Sequence, residues 1–207
     1  MEEKAKMHKE EKNPISKAWN WLWHSDSLLS WVVSLALAFI IVKFVFFPLL
    51  SLTLGTQLPL VVVESSSMEH PQAGFVGNVI GLEDSFEMWW NEKGKWYENR
   101  EIEKSEAENW PLRTGFDKGD IMVVYGRAEP RVGDVIIFEA DTEHPIIHRI
   151  VSIDEDGTIQ TKGDNNIEQL YAEKNIPENA VIGKAVLKIP KLGWVKLIFV
   201  ESIKAFS

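Results

Sequence analysis

The chain has 207 residues, a formal net charge of −9 and no cysteine. The lack of cysteine excludes disulfides, thiolate metal sites and cysteine nucleophiles. The acidic balance, with no lysine- or arginine-rich patch beyond the N-terminal tail, argues against a protein that binds nucleic acid.

One long apolar run dominates the N-terminal part of the sequence. Residues 28–50 contain Lys43 as their only charged residue. At about 1.5 Å of rise per residue they form roughly 34 Å of helix, enough for a hydrocarbon core of about 30 Å. A buried core helix or a signal peptide would also be apolar, but the run starts late for a removable signal. We therefore predict a transmembrane helix over residues 28–50. Around its N-terminal end lie tryptophans of the kind typical of a membrane interface, Trp19, Trp21, Trp23 and Trp31.

The distribution of basic residues predicts the orientation of this helix. Residues 51–75 contain no lysine or arginine, whereas the first 27 residues contain five lysines: Lys4, Lys6, Lys9, Lys12 and Lys17. Positive charge is retained on the cytoplasmic side of membranes. We predict a cytoplasmic tail over residues 1–27 and an extracytoplasmic domain over residues 51–187.

Beyond the helix the sequence is typical of a mainly β protein. Two similar units, residues 119–124 and 133–138, each place a Gly-Asp turn before a β-branched apolar run. Residues 146–153, 158–161 and 181–189 are further candidate strands. Short strands with no helical blocks between them predict a compact antiparallel β fold.

Two segments depart from the strand pattern. Residues 78–113 contain four tryptophans among many acids, with 101–109 expected to be helical, and they are interpreted as an insertion. Its aromatic side chains form either a small satellite core or a rim that contacts lipid headgroups. Residues 188–207 are predicted to be a C-terminal amphipathic segment, with a final core strand as the alternative.

Three further segments carry residues suited to nucleophilic catalysis. Ser67 ends a cluster of three serines after an apolar run, His148 lies within a predicted strand, and Asp164 lies in a Gly-Asp-Asn-Asn sequence. A serine hydroxyl needs a positioned base, and the base needs an acid that fixes its tautomer. A serine cluster, a strand histidine and a Gly-Asp turn each have ordinary structural uses, so the prediction depends on their occurring together.

Taken together, these segments resemble the type I signal peptidases, in particular their archaeal and endoplasmic-reticulum branch, which uses a histidine base. The resemblance rests on five segments in the same order in the chain, in addition to the N-terminal anchor: residues 65–71, 119–138, 148–149, 161–166 and 183–185. It implies a compact antiparallel β catalytic domain, a membrane-bound serine endopeptidase that removes signal peptides from secreted preproteins, and no metal or organic cofactor. It also implies contact with membrane lipid and the translocation machinery, in a cell membrane or an endoplasmic-reticulum membrane.

The resemblance also assigns roles to residues. It implies that Ser67 is the nucleophile, that His148 is the general base, and that Ser65 helps to bind the oxyanion. The family's second aspartate, about six residues beyond the first, is replaced here by Leu170. Either Asp164 orients His148 or Glu168 does so, and we favour Asp164.

Two other functions remain open from the sequence. The chain could be a membrane-anchored binding or assembly module that keeps the fold and has no turnover. A Ser-Lys dyad, with Lys162 or Lys184 as the base, would also account for the serine cluster.

Overall fold

The computed structural model describes residues 13–71 and 85–198. The chain divides into two compact units, Met1–Leu50 and Ser51–Ser207. The predicted insertion and C-terminal segment are therefore described only in part, because residues 78–84 and 199–207 lie outside the described residues.

A continuous helix contains the predicted membrane span. It consists of α2 (Leu28–Ile41), a π-helical turn (Val42–Phe46) and α3 (Phe47–Leu54). Within the described residues it is the one helix long and apolar enough to cross a membrane, with 27 residues and a mean hydropathy of 2.5. The helix predicted over residues 28–50 is confirmed and continues to Leu54. A shorter helix, α1 (Pro14–His24), precedes it inside the segment predicted as a tail.

The second unit is built on one sheet of six strands, and every pairing in it is antiparallel. The spatial order is β1-β2-β6-β3-β4-β5. This confirms the predicted mainly β, antiparallel fold. The strands are β1 (Leu60–Val62), β2 (Ile121–Tyr125), β3 (Val135–Phe138), β4 (Ile146–Ile153), β5 (Ile159–Lys162) and β6 (Val181–Ile189).

The two Gly-Asp units form matching turns before β2 and β3. Gly119 and Gly133 both have a φ of 90°, a conformation that residues with a Cβ rarely adopt. The following carboxylates accept backbone N–H groups at 3.0 Å, Asp120 from Asp117 and Asp134 from Arg131. The repeated sequence therefore produces a repeated turn, which fixes where each strand begins.

The insertion contributes an apolar cluster beside the sheet, separate from the main core. Helix α4 (Ser85–Glu98) was not anticipated from the sequence, while α5 (Lys104–Ala107) lies within the stretch expected to be helical. The expected satellite core is present, with Val151 of β4 among its members. Its buried residues are Phe86, Trp89, Trp90, Tyr97, Ile102, Ala107, Trp110 and Val151.

Candidate active site

Ser67 and His148 lie within hydrogen-bond distance of each other. Ser67 is in the loop after β1, and His148 is the third residue of β4. The Ser67 Oγ is 2.8 Å from the His148 Nε2. The His148 ring is buried, with 4% of the residue exposed, whereas Ser67 is half-buried. This geometry lets the imidazole accept the serine proton while the hydroxyl stays open to a substrate.

The second nitrogen of His148 contacts Glu173, a residue that sequence reasoning did not select. The His148 Nδ1 is 2.5 Å from the Glu173 Oε1. That oxygen also accepts the Thr161 hydroxyl at 3.2 Å, and the other carboxylate oxygen accepts the Leu170 N–H. Glu173 is fully buried. A buried carboxylate on Nδ1 holds the tautomer in which Nε2 is free to take a proton.

A short backbone bridge brings Glu173 to this place. Glu173 ends a 3₁₀ turn, Tyr171–Glu173. Three residues later, Ile176 exchanges two backbone hydrogen bonds of 2.9 Å with Ile159 at the start of β5. The loop that follows β5 thus folds back along that strand, so Glu173 reaches His148 on the neighbouring strand.

Asp164 does not contact His148, contrary to the orienting role expected for it. Its carboxylate instead accepts two hydrogen bonds from Arg149, whose Nε and Nη2 lie 2.9 and 2.7 Å from the two carboxylate oxygens. The His70 Nε2 lies 2.9 Å from the same group. Burial by itself raises the pKa of Asp164, but the Arg149 charge and the hydrogen bonds from His70 and Arg149 outweigh it and hold that pKa well below its usual range.

Strand geometry explains why Asp164 serves Arg149 instead. Successive side chains on a strand point to opposite faces of the sheet, so His148 and Arg149 diverge from adjacent positions. The Arg149 guanidinium is fully buried and also donates to three carbonyls, those of Pro111, Leu112 and Gly133. Asp164 therefore completes a buried ion pair on the other side of β4.

The Gly-Asp-Asn-Asn turn nevertheless touches the site through its backbone. The Asn165 N–H donates to the Ser67 carbonyl at 2.8 Å, and its side chain donates to the Ser66 carbonyl at 3.0 Å. A Cβ added to Gly163 would lie 2.8 Å from the His148 Nε2. The turn therefore fixes the serine loop relative to β4 and needs glycine at its first position.

The remaining candidates lie as follows. The Ser65 Oγ is 3.0 Å from the Ser67 Oγ. Glu168 is exposed and accepts the Trp96 indole N–H at 3.0 Å, while its contacts do not include His148. The Lys162 and Lys184 ammonium groups are bonded elsewhere, to the Gly163 carbonyl and to Asp134 respectively. Among residues 13–71 and 85–198, no group of three or more histidine or acidic side chains could hold a metal ion.

Comparison with known proteins identifies the relatives of this chain. It is 35% identical over 104 residues to the signal peptidase complex catalytic subunit SEC11 of Lachancea thermotolerans, covering 44% of this chain and 62% of the relative. The protein of the same name from Eremothecium gossypii is 33% identical over 103 residues, with the same two coverages. Over this region the chain is similar to signal peptidase catalytic subunits. This confirms the resemblance seen in the sequence motifs.

The signal peptidase match has a defined extent. The SEC11 protein of Komagataella phaffii is 29% identical over 107 residues, again 44% of this chain. The matched region spans somewhat less than two thirds of these curated relatives, 62% to 63% of their lengths. No protein-family model and no solved structure matches the chain.

The buried Asp164–Arg149 ion pair predicts a pH-dependent stability. Asp164→Asn leaves the Arg149 charge buried without its partner, which should lower the free energy of unfolding at pH 7 by about 3–5 kcal/mol. Because the folded-state pKa of Asp164 is depressed, its contribution is complete above an unfolded value of about 4 and is lost as the pH falls further. The difference between wild type and variant in urea unfolding should therefore shrink as the pH falls from about 4 to about 2.

Asp141→Asn is the matched control for this measurement. Asp141 is an exposed aspartate in the β3–β4 connection, so its loss should change the free energy of unfolding by less than about 0.5 kcal/mol. An Asp164→Asn variant as stable as Asp141→Asn at pH 7 would contradict the role given to the ion pair.

Proposed function

We propose that this protein is a membrane-anchored serine endopeptidase that removes signal peptides from secreted preproteins. The observation that supports this best is the continuous Ser67–His148–Glu173 chain, with contacts of 2.8 and 2.5 Å. A nucleophile, a base and an orienting acid joined in this way are the parts that acyl transfer requires. The similarity to signal peptidase catalytic subunits supplies the substrate class, which the triad alone would leave open.

The proposed reaction runs through an acyl-enzyme. The His148 Nε2 takes the Ser67 hydroxyl proton as the oxygen attacks the scissile carbonyl. The imidazolium, stabilised by the Glu173 carboxylate, then gives this proton to the leaving amine, which becomes the new N-terminus of the mature protein. His148 next removes a proton from water, and the resulting hydroxide attacks the ester between Ser67 and the signal peptide. As the ester bond breaks, the imidazolium returns that proton to the Ser67 oxygen, which restores the enzyme and releases the signal peptide.

The tetrahedral intermediates carry a negative oxygen that needs hydrogen-bond donors. We assign this role to the Ser67 backbone N–H and to the Ser65 hydroxyl, which lies 3.0 Å from the Ser67 Oγ. One such donor contributes about 3 kcal/mol of transition-state stabilisation. Because Ser65 is exposed, its hydroxyl is free to turn toward a bound substrate.

We also propose that the catalytic domain lies outside the cytoplasm. Five lysines precede the apolar helix, and residues 51–75 contain none, which favours retention of the N-terminus in the cytoplasm. A membrane anchor suits an enzyme whose substrates are themselves held in the membrane by an apolar signal sequence. The proposed partners are therefore preproteins, membrane lipid and the machinery that translocates preproteins, as part of a complex like that of the relatives.

Cleavage of a preprotein by the purified chain in detergent micelles tests this function. The expected result is one cut, mapped by mass spectrometry of the mature product, after a residue with a small side chain. The matched substrate carries tryptophan at the position before the cut and should remain intact, because the resemblance to the signal peptidases implies recognition of small side chains there. A protein that binds the preprotein without cleaving it would be the non-catalytic module.

A further inference from the structure

Lys162 is a fully buried lysine beside the proposed active site. It is the last residue of β5 and lies directly opposite Arg149 on the neighbouring strand β4. Its ammonium donates to the Gly163 carbonyl at 2.9 Å. Lysine is almost never fully buried without a compensating partner, so its surroundings need an explanation.

Two aromatic rings of the insertion face this ammonium. The Lys162 Nζ lies 5.1 Å from the ring centres of both Trp96 and Tyr97, which are neighbours on helix α4. Aromatic faces attract cations within about 6 Å. A single charged group therefore joins the insertion to the first residue of the Gly-Asp-Asn-Asn turn.

That turn contacts both reacting groups of the proposed triad. Its Gly163 lies against the His148 ring, where a Cβ would approach the Nε2 to 2.8 Å, and its Asn165 N–H donates to the Ser67 carbonyl. A shift of the Gly163 peptide would therefore alter the separation of Ser67 and His148.

Stability by itself does not account for this lysine. Burial lowers the pKa of Lys162 to about 8, although the charges of Asp164, Glu173 and Glu168 act in the opposite direction. A folded-state value below the unfolded value of about 10.4 means that holding the ammonium at pH 7 weakens the fold. An apolar side chain of similar length would avoid that penalty.

We propose that Lys162 is a positioning residue of the active site, whose ammonium ties helix α4 to the Gly163 carbonyl and so holds the turn against Ser67 and His148. This proposal rests on the proposed function. The proposal also gives the tryptophan-rich insertion a role, because its residues Trp96 and Tyr97 provide the aromatic rings that attract the Lys162 ammonium.

Lys162→Met tests the proposal, with Lys95→Met as the matched control. Lys95 is an exposed lysine on α4, so its loss should leave kcat unchanged. Lys162→Met should lower kcat about 10- to 100-fold at pH 7 with little change in KM, because small misplacements of reacting groups have effects of this size. Its thermal midpoint should not fall, which separates positioning from a general loss of structure.

The pH profile of kcat gives a second readout. The wild-type kcat should fall as the pH rises through about 8, where Lys162 loses its proton, and this alkaline decrease should be absent from Lys162→Met. The other charged or titratable groups around Lys162 are Arg149 on the neighbouring strand β4, Lys93 and Tyr97 of α4, Asp164 of the turn, and Glu168 and Glu173 of the following loop. Burial raises the pKa of Tyr97 well above its ordinary value of 10, so the Tyr97 hydroxyl does not titrate in this range.

Thermal unfolding between pH 8 and pH 10 tests the buried ammonium without an activity assay. In that interval the unfolded state binds more protons at this lysine, so wild-type stability should rise with pH relative to Lys162→Met. A wild-type kcat in Lys162→Met, or a wild-type profile that stays flat to pH 9.5, would overturn the proposal. The flat profile decides the matter even if the variant does not fold. Failure of the wild type to cleave any preprotein would instead refute the proposed function.

Discussion

If the proposed function is right, replacing Ser67 with alanine reduces kcat for preprotein cleavage by about 10⁶-fold, the scale on which loss of the nucleophile acts in serine proteases. The change removes the atom that attacks the scissile carbonyl and deletes only a half-exposed hydroxyl, so the thermal midpoint should stay close to that of the wild type. Single-turnover cleavage with excess enzyme, followed on gels, measures the remaining rate.

Ser152→Ala provides the matched control for this variant. Ser152 lies on the same strand as His148, and its hydroxyl bonds to the exposed Asp154 at 3.1 Å, so its loss should not affect cleavage. His148→Ala should resemble Ser67→Ala, because without a base the serine keeps its proton. Processing by Ser67→Ala at the rate of Ser152→Ala would remove Ser67 from the mechanism.

The second large effect is expected at Glu173. Glu173→Gln keeps the size of the side chain but removes the charge that stabilises the imidazolium, and a donating amide would also favour the wrong tautomer of His148. The comparable change in known serine proteases lowers kcat by about 10⁴-fold. Steady-state kinetics near neutral pH measure it, and KM should change little because Glu173 is buried away from the substrate.

Glu168→Gln is the informative comparison for Glu173. Glu168 lies in the same loop, but it is exposed and bonded to Trp96, so its loss should lower kcat less than tenfold. Asp164→Asn should act chiefly on stability, through Arg149. If Glu168→Gln lost more activity than Glu173→Gln, the proposed acid would be the wrong residue.

The sequence predicted the elements that local physics determines. The apolar helix follows from composition, and β2 and β3 follow from a Gly-Asp turn before a β-branched run, as found at Gly119 and Gly133. Helix α4 was missed even though its buried residues, Phe86, Trp89, Trp90, Gly94 and Tyr97, follow helical spacing, because a glycine lies in the middle of that face and Trp96 is apolar outside it. Its stability comes from packing against Val151 of the sheet, and such long-range contacts leave no local signal.

The proposed acid, Glu173, is the part of the candidate site that the sequence did not predict. Ser67 and His148 could be selected by residue type and context, and their side chains lie 2.8 Å apart. Glu173 reaches His148 through the path of a loop, which ends at the Ile159–Ile176 bridge. The sequence did contain one indication that His148 needs another acid. His148 and Arg149 are adjacent on a strand and point to opposite faces of the sheet, so one aspartate could not hydrogen-bond to both side chains. Asp164 pairs with Arg149, which leaves His148 to another acid.

The position of β6 has a consequence for the timing of synthesis. This strand is the last to leave the ribosome, yet it lies in the middle of the sheet and pairs with both β2 and β3. Until residue 189 has emerged, β1 and β2 with the neighbouring Ser67 loop have no strand to join them to β3, β4 and β5, which carry His148. The sheet that carries the proposed base beside the proposed nucleophile is therefore completed only after residue 189 has emerged.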